Sequence, residues 1–139
     1  MLPADPVSRA RARGFGRFVD LYLEPSLHVL FPQVTLKEKD QQLITTQFVE
    51  IATRLDQLEA MLSSGPYALG EAFSLADCSL APVMLYAQLT LQILGGPPFS
   101  EGRPKLTAWW AAVQQRPSVQ KVHAEMMEWV MEMQAQAAR

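Results

Sequence analysis

Few side chains in this chain could do chemistry of their own. Cys78 is the one thiol, and it lies one turn inside the start of the run Ser74 to Thr90, SLADCSLAPVMLYAQLT. A thiolate is a nucleophile, and the positive end of a helix can lower a thiol's pKa. Nucleophilic catalysis also needs a base within reach, and the adjacent carboxylate, Asp77, reads as a structural helix cap. An inert core cysteine is the plainer reading. His28 and His123 stand alone, and no Cys/His cluster has the spacing of a zinc site. Each reads as a surface or interhelical histidine. No catalytic residue and no metal ligand is assigned.

The first helix carries the best functional candidates. Arg9, Arg13 and Arg17 recur every fourth residue and so share one face near the positive helix start. Such a face attracts carboxylates. The competing reading is a solvated surface pairing with acids elsewhere. Phe18 and Tyr22 follow on the same helix. They suit the wall of an apolar pocket, although core packing explains them as well.

Helices must hold these residues in place. Ser74 and Asp77 form a capping box, S-x-x-D, with Phe73 and Cys78 placed for a hydrophobic staple. The residues that follow are apolar on nearly every side, which marks a buried helix, so about 74–92 is expected to be the central rod. Pro82 lies in its interior, where it removes a hydrogen bond and predicts a kink. The kink either fits the rod to its neighbours or shapes a ligand cleft.

The other elements follow in order. Asp5 caps a helix with Pro6 at its first position, running to about Leu30 and ending before Pro32. Gly14 and Gly16 cost that helix stability and suggest a tight crossing or clearance for a ligand or second subunit. A second helix spans about Lys37 to Ser63, with Ile44, Phe48, Ile51, Leu55, Leu58 and Leu62 as its seam. Ser64-Gly65-Pro66 stops it. Pro104 opens a helix with Leu106, Trp109, Trp110 and Val113 inside, closed by Arg116-Pro117. Ser118 is the expected cap of the last helix, whose core stripe reads Val119, Val122, Met126, Trp129, Val130 and Met133. Met126, Met127, Met131 and Met133 are core filling or an adaptable partner surface. No stretch alternates like a strand or carries hairpin chemistry. The expected fold is all-α, a single domain over 1–139 built as a bundle of five main helices.

Composition narrows the function classes. The chain has 139 residues, 49% hydrophobic and 19% charged, within the globular range. A net charge of −2 argues against a nucleic-acid footprint. One cysteine excludes an internal disulfide and fits a reducing compartment. No run is long enough for a transmembrane helix and no signal peptide is visible, so a soluble, cytoplasmic protein is expected, without membrane or nucleic-acid partners.

Three motifs carry a family likeness. Tyr67-x-Leu69-Gly70-x-x-Phe73-Ser74-Leu75-Ala76-Asp77 resembles the start of the sixth helix in the glutathione transferase superfamily, with Ser74 and Asp77 at its capping box. Pro104-x-Leu106-x-x-Trp109 and Arg116-Pro117-Ser118 resemble its seventh helix and the turn after it. Leu2-Pro3-x-Asp5-Pro6-x-x-Arg9-Ala10 is similar to the start of its helical domain. The likeness implies the carboxyl-terminal helical domain alone, without the thioredoxin-like domain that binds glutathione and carries the catalytic Ser, Cys or Tyr. That domain is the implied partner, and glutathione the implied co-substrate of the full-length protein; no cofactor is expected in this chain. By resemblance, the first helix supplies the electrophile-pocket wall and dimer contacts. This makes Arg9, Arg13, Arg17, Phe18 and Tyr22 the candidate substrate-binding residues of a homodimeric detoxification enzyme, with this chain inactive by itself. The alternative is a non-catalytic helical interaction or assembly module, or a stress-response regulator, of the same superfamily.

Overall fold

The computed structural model describes residues 1–139. Six α-helices form the molecule: α1 Pro6–Phe18, α2 Glu24–Thr35, α3 Gln41–Met61, α4 Leu75–Ile93, α5 Pro104–Val113 and α6 Pro117–Ala137. A π-helical turn, Val19–Leu23, joins α1 to α2 without a break, so the two make one interrupted rod and the bundle has five main rods, as expected. No strand is present; Tyr67 and Gly70 form one isolated bridge.

Local chemistry accounts for most helix ends. Asp5 accepts a hydrogen bond from Ser8 N at 2.7 Å, with Pro6 at the first helical position. Asp40 accepts from Leu43 N at 3.0 Å, so α3 starts at Gln41 and not at Lys37. The first rod does not stop before Pro32 but runs through it to Thr35. Leu30 and Gln33 on either side of Pro32 are buried, and that packing outweighs one lost backbone bond on a solvent-facing flank. Gln33 also accepts from Asp40 N at 2.9 Å, tying the end of α2 to the start of α3. Ser118 does not cap α6. The helix begins one residue earlier, with Pro117 at its first position and no side-chain cap, because proline has no N–H there to satisfy.

Helix α4 is the central element. It packs against α1, the π turn, α2, α5 and α6, and both Leu80 and Leu85 are buried. Gly16 serves the α1–α4 crossing, since a Cβ there would lie 3.4 Å from Ser79 Oγ. Gly14 has open space and no such role. Pro82 does not break α4. The start of α5 lacks a cap of its own, and α3 supplies one: Glu59 accepts from Lys105 N at 2.9 Å and Leu106 N at 2.8 Å.

The capping box of α4 is complete and reaches beyond its own helix. Asp77 is 0% exposed. Its Oδ2 accepts from Ser74 N at 2.8 Å and from Ser74 Oγ at 3.3 Å. Its Oδ1 accepts from Ala68 N at 2.8 Å and from the indole Nε1 of Trp109 at 2.8 Å. One carboxylate thus joins the loop before α4, the start of α4 and the middle of α5.

The stripe of α6 departs from expectation. Val119 and Val130 are buried, but Val122 is 39% and Trp129 52% exposed. Met126 and Met133 are half-buried. The helix packs chiefly on α4, and much of its apolar face has no element of this chain above it.

Replacing Asp77 by Ala leaves three buried N–H donors without a partner, each costing about 1–3 kcal/mol. Urea unfolding should show a loss of at least about 3 kcal/mol, against about 1 kcal/mol for Ser74→Ala. Asp77→Asn should fall between the two, because its amide oxygen can still accept from Ala68 N and the Trp109 indole while its NH₂ faces the Ser74 N–H.

Candidate functional site

The cavity with the most chemistry lies between α2, α4 and α6. It has a volume of ≈ 340 Å³ and is lined by Glu24, His28 and Phe31 from the first rod, Pro82, Val83 and Tyr86 from α4, and Met126 and Trp129 from α6. Glu24, His28 and Phe31 recur at steps of four and three, so α2 turns one face into the cleft. Pro82 and Tyr86, four apart, do the same for α4. Pro82 therefore lines this cleft, within an unbroken α4.

The walls are aromatic. The Phe31 ring lies 5.9 Å from Tyr86 at 30° and 5.9 Å from Trp129 at 14°, centroid to centroid. These are offset, near-parallel arrangements of the favourable kind. Burial, and then the Glu24 carboxylate, push the Tyr86 phenol up to about 12. The phenol thus stays a neutral donor and acceptor throughout the neutral range. Trp129 stays half-exposed at the mouth, and His28 is exposed there.

None of the five candidate residues from the sequence lines this cleft. Arg9 donates to Pro3 O at 3.1 Å and Ala4 O at 2.9 Å, and so anchors the lead-in segment. Arg13 and Arg17 are exposed. Phe18 is buried in the core, 5.8 Å from the Tyr22 ring. Tyr22 is half-exposed beneath the Arg54 guanidinium, 5.2 Å from its ring centroid, and Arg54 pairs with Glu50 on α3. The π turn explains the division. It holds an extra residue in its turn, which rotates everything downstream relative to α1. Tyr22 consequently meets α3, while Glu24 and His28 meet the cleft.

Cys78 is half-buried on a separate cavity of ≈ 120 Å³ that it shares with Phe73, Val119, Val122 and His123. The helix-start effect does not prevail there. Burial, and then the neighbouring Asp77 carboxylate, push the thiol up, against smaller opposing pulls from Arg116 and the N-terminus. His123 lies with Nε2 3.2 Å from Ala81 O and its ring 5.3 Å from Trp110. The structure records no hydrogen bond between His123 and Cys78.

Sequence reasoning missed Glu24, Phe31, Tyr86 and Trp129 as site residues. The available signal was Tyr86, the only aromatic side chain in α4, and the steps from Glu24 to His28 to Phe31. Neither reveals that α6 stands across from them.

The native state keeps the Tyr86 proton above the ordinary phenol pKa of 10.0, whereas the unfolded chain releases it there. The folded form therefore binds more protons between about pH 10 and 12, and stability must fall as pH rises through that window. Tyr86→Phe should flatten that fall, read as unfolding midpoints against pH, and should remove the latest component of a tyrosinate absorbance titration.

With this geometry in hand, known proteins offer a comparison. A family model described as "Glutathione S-transferase, C-terminal domain" matches residues 18–117. A probable glutathione S-transferase of Nicotiana tabacum is 32% identical over 122 residues, covering 87% of this chain and 52% of its own length. Glutathione S-transferase 1 of Zea mays is 33% identical over 89 residues, covering 63% of this chain and 39% of its own. The crystal structure of glutathione transferase Omega 3C from Trametes versicolor superposes with a TM-score of 0.70 at 26% identity, over 87% of this chain and 52% of that one. The Tau class glutathione S-transferase from mango (Mangifera indica) shares the fold with a TM-score of 0.77 at 20% identity, over 96% of this chain and 62% of that one. The chain spans about half the length, or less, of the curated relatives it matches. No helix is long and apolar enough to cross a membrane. On the family match and the helical architecture together, this chain belongs to the glutathione S-transferase C-terminal domain family.

Proposed function

We propose that this chain works as the electrophile-binding half of a glutathione transferase-like protein. The observation that carries the reading is the aromatic cleft of ≈ 340 Å³ between α2, α4 and α6. Its walls are apolar and stacked, with a neutral phenol and a carboxylate among them, which is what an apolar electrophile with a polar substituent requires. Glutathione itself would be held by a thioredoxin-like domain, the implied partner, which would also bring the thiol-activating residue. The exposed Arg13 and Arg17 offer charge to the carboxylates of that tripeptide, while Arg9 holds the lead-in segment. Tyr22, with Phe18 behind it, belongs to the surface toward α3.

This chain by itself should not conjugate. Its one thiol is half-buried with its pKa raised, and none of its histidines is hydrogen-bonded to a nucleophile. Purified chain with glutathione and 1-chloro-2,4-dinitrobenzene should give only the uncatalysed rate; turnover well above it refutes the reading. When the chain is fused behind a thioredoxin-like glutathione-binding domain, Phe31→Ala and Trp129→Ala should raise KM for the electrophile about three- to tenfold, the worth of an aromatic contact. KM for glutathione should stay within about twofold. An unchanged electrophile KM would remove the cleft from the reaction.

Dimer contacts belong to a neighbouring face of the first rod. A groove of ≈ 970 Å³ runs between α2 and α3, bordered by Pro25, Val29, Thr45 and Val49. Val29 and Val49 are exposed there, as is Leu21 on the adjoining π turn. Sedimentation should find self-association in the micromolar range, weakened by Val49→Glu. A monomer throughout that range would count against a homodimer built on this face.

A further inference from the structure

The stretches that line the aromatic cleft carry carboxylates and no Lys or Arg. The rod from Phe18 to Leu36 carries Asp20 and Glu24 and has no Lys or Arg. Helix α6 carries Glu125, Glu128 and Glu132, again with no Lys or Arg between Lys121 and Arg139. Helix α4 has no Lys or Arg anywhere in Leu75–Ile93. Every Lys or Arg of the first rod lies in α1, between Arg9 and Arg17. Of the carboxylates, Glu24 is the one that lines the cleft itself, and it is partly buried there, beside the Tyr86 phenol and the exposed His28. The three glutamates of α6 are exposed and flank Met126 and Trp129 along the helix.

We propose that this cleft selects planar aromatic ligands that carry a positive charge. The selectivity rests on the cleft being a ligand wall at all, as proposed above. Two independent features define the ligand. Phe31 stacks on Tyr86 and on Trp129, each at 5.9 Å between centroids, and the aromatic wall so formed attracts both a flat ring and a cation set against it. The carboxylate of Glu24 lies in a partly desolvated wall that holds no Lys or Arg, with the solvent-exposed imidazole of His28 as the one nitrogen base beside it, and it makes no ion pair within the chain. Charges in such a setting are screened less than on open surface. A cationic ring satisfies both features, a neutral one only the first, and an anionic one is repelled. The Tyr86 hydroxyl adds a neutral hydrogen-bonding group that does not compete with Glu24 for the charge.

Three flat tricyclic probes separate these contributions: proflavine as the cation, acridone as the neutral form and anthracene-2-sulfonate as the anion. Each is titrated by fluorescence anisotropy against the 139-residue chain and its Glu24→Gln and Trp129→Ala variants, with circular dichroism confirming that both variants stay folded. Proflavine should bind about tenfold more tightly than acridone, the worth of one charge-assisted contact, with the sulfonate weakest. Glu24→Gln should weaken proflavine about tenfold and leave acridone within twofold. Trp129→Ala should weaken both by about three- to tenfold. If acridone or the sulfonate binds as tightly as proflavine, or if Glu24→Gln spares proflavine while Trp129→Ala weakens all ligands, the charge selectivity is wrong and the aromatic cleft survives. If Trp129→Ala changes none of them, the cleft is not the ligand wall, and both readings fall together.

Discussion

A single buried carboxylate ties this bundle together. Asp77 has no exposed surface, yet it keeps both oxygens fully engaged. Its four donors come from three places: Ala68 in the loop, Ser74 at the helix start and Trp109 on α5. Burying a carboxylate without partners is very costly, so the arrangement tolerates little variation. The loop after α3, the register of α4 and the depth of α5 must all be right at once for the charge to be satisfied. Packing alone would permit several positions of α5 against α4; the indole N–H at 2.8 Å selects one.

The second constraint is backbone geometry. The first rod is continuous from Pro6 to Thr35 except for the π turn at Val19–Leu23. Upstream, the rod shows arginines to solvent and buries Ala12, Phe15 and Phe18. Downstream, its rotated face brings Glu24, His28 and Phe31 to α4 and α6, and leaves Tyr22 with Arg54. Wider turns of this type recur at functional sites, and here one falls where the basic stretch Arg9–Arg17 gives way to Asp20 and Glu24.

The apolar surface left on α6 fits this picture. Trp129 is half-exposed because it forms one side of the cleft mouth, and Met126 lies beside it as adaptable lining. The methionines of this helix therefore divide, with Met126 in the wall and Met131 in solvent.

The helical fold, the position of the buried rod and the capping box that starts it were all legible from the residues alone. Those properties follow from periodicity, a Ser/Asp pair and a continuous apolar run, all of which act over a few residues. Pro6, Asp5 and the seam of α3 were legible for the same reason. The start of α3 at Gln41, the passage of the helix through Pro32 and the start of α6 at Pro117 were not, because neighbouring packing outweighed a local stop or cap signal. The candidate site was legible only in outline. The cleft draws Glu24, His28 and Phe31 from the first rod, whereas Arg9, Arg13, Arg17, Phe18 and Tyr22 lie outside its lining. Tertiary structure decided that. The π turn has no propensity signature strong enough to read, and it changes which residue faces which neighbour. The partners of Glu24 and Phe31 lie some 50 to 100 residues away along the chain. A cleft is a relation between faces of separate helices, and only their packing brings those faces together.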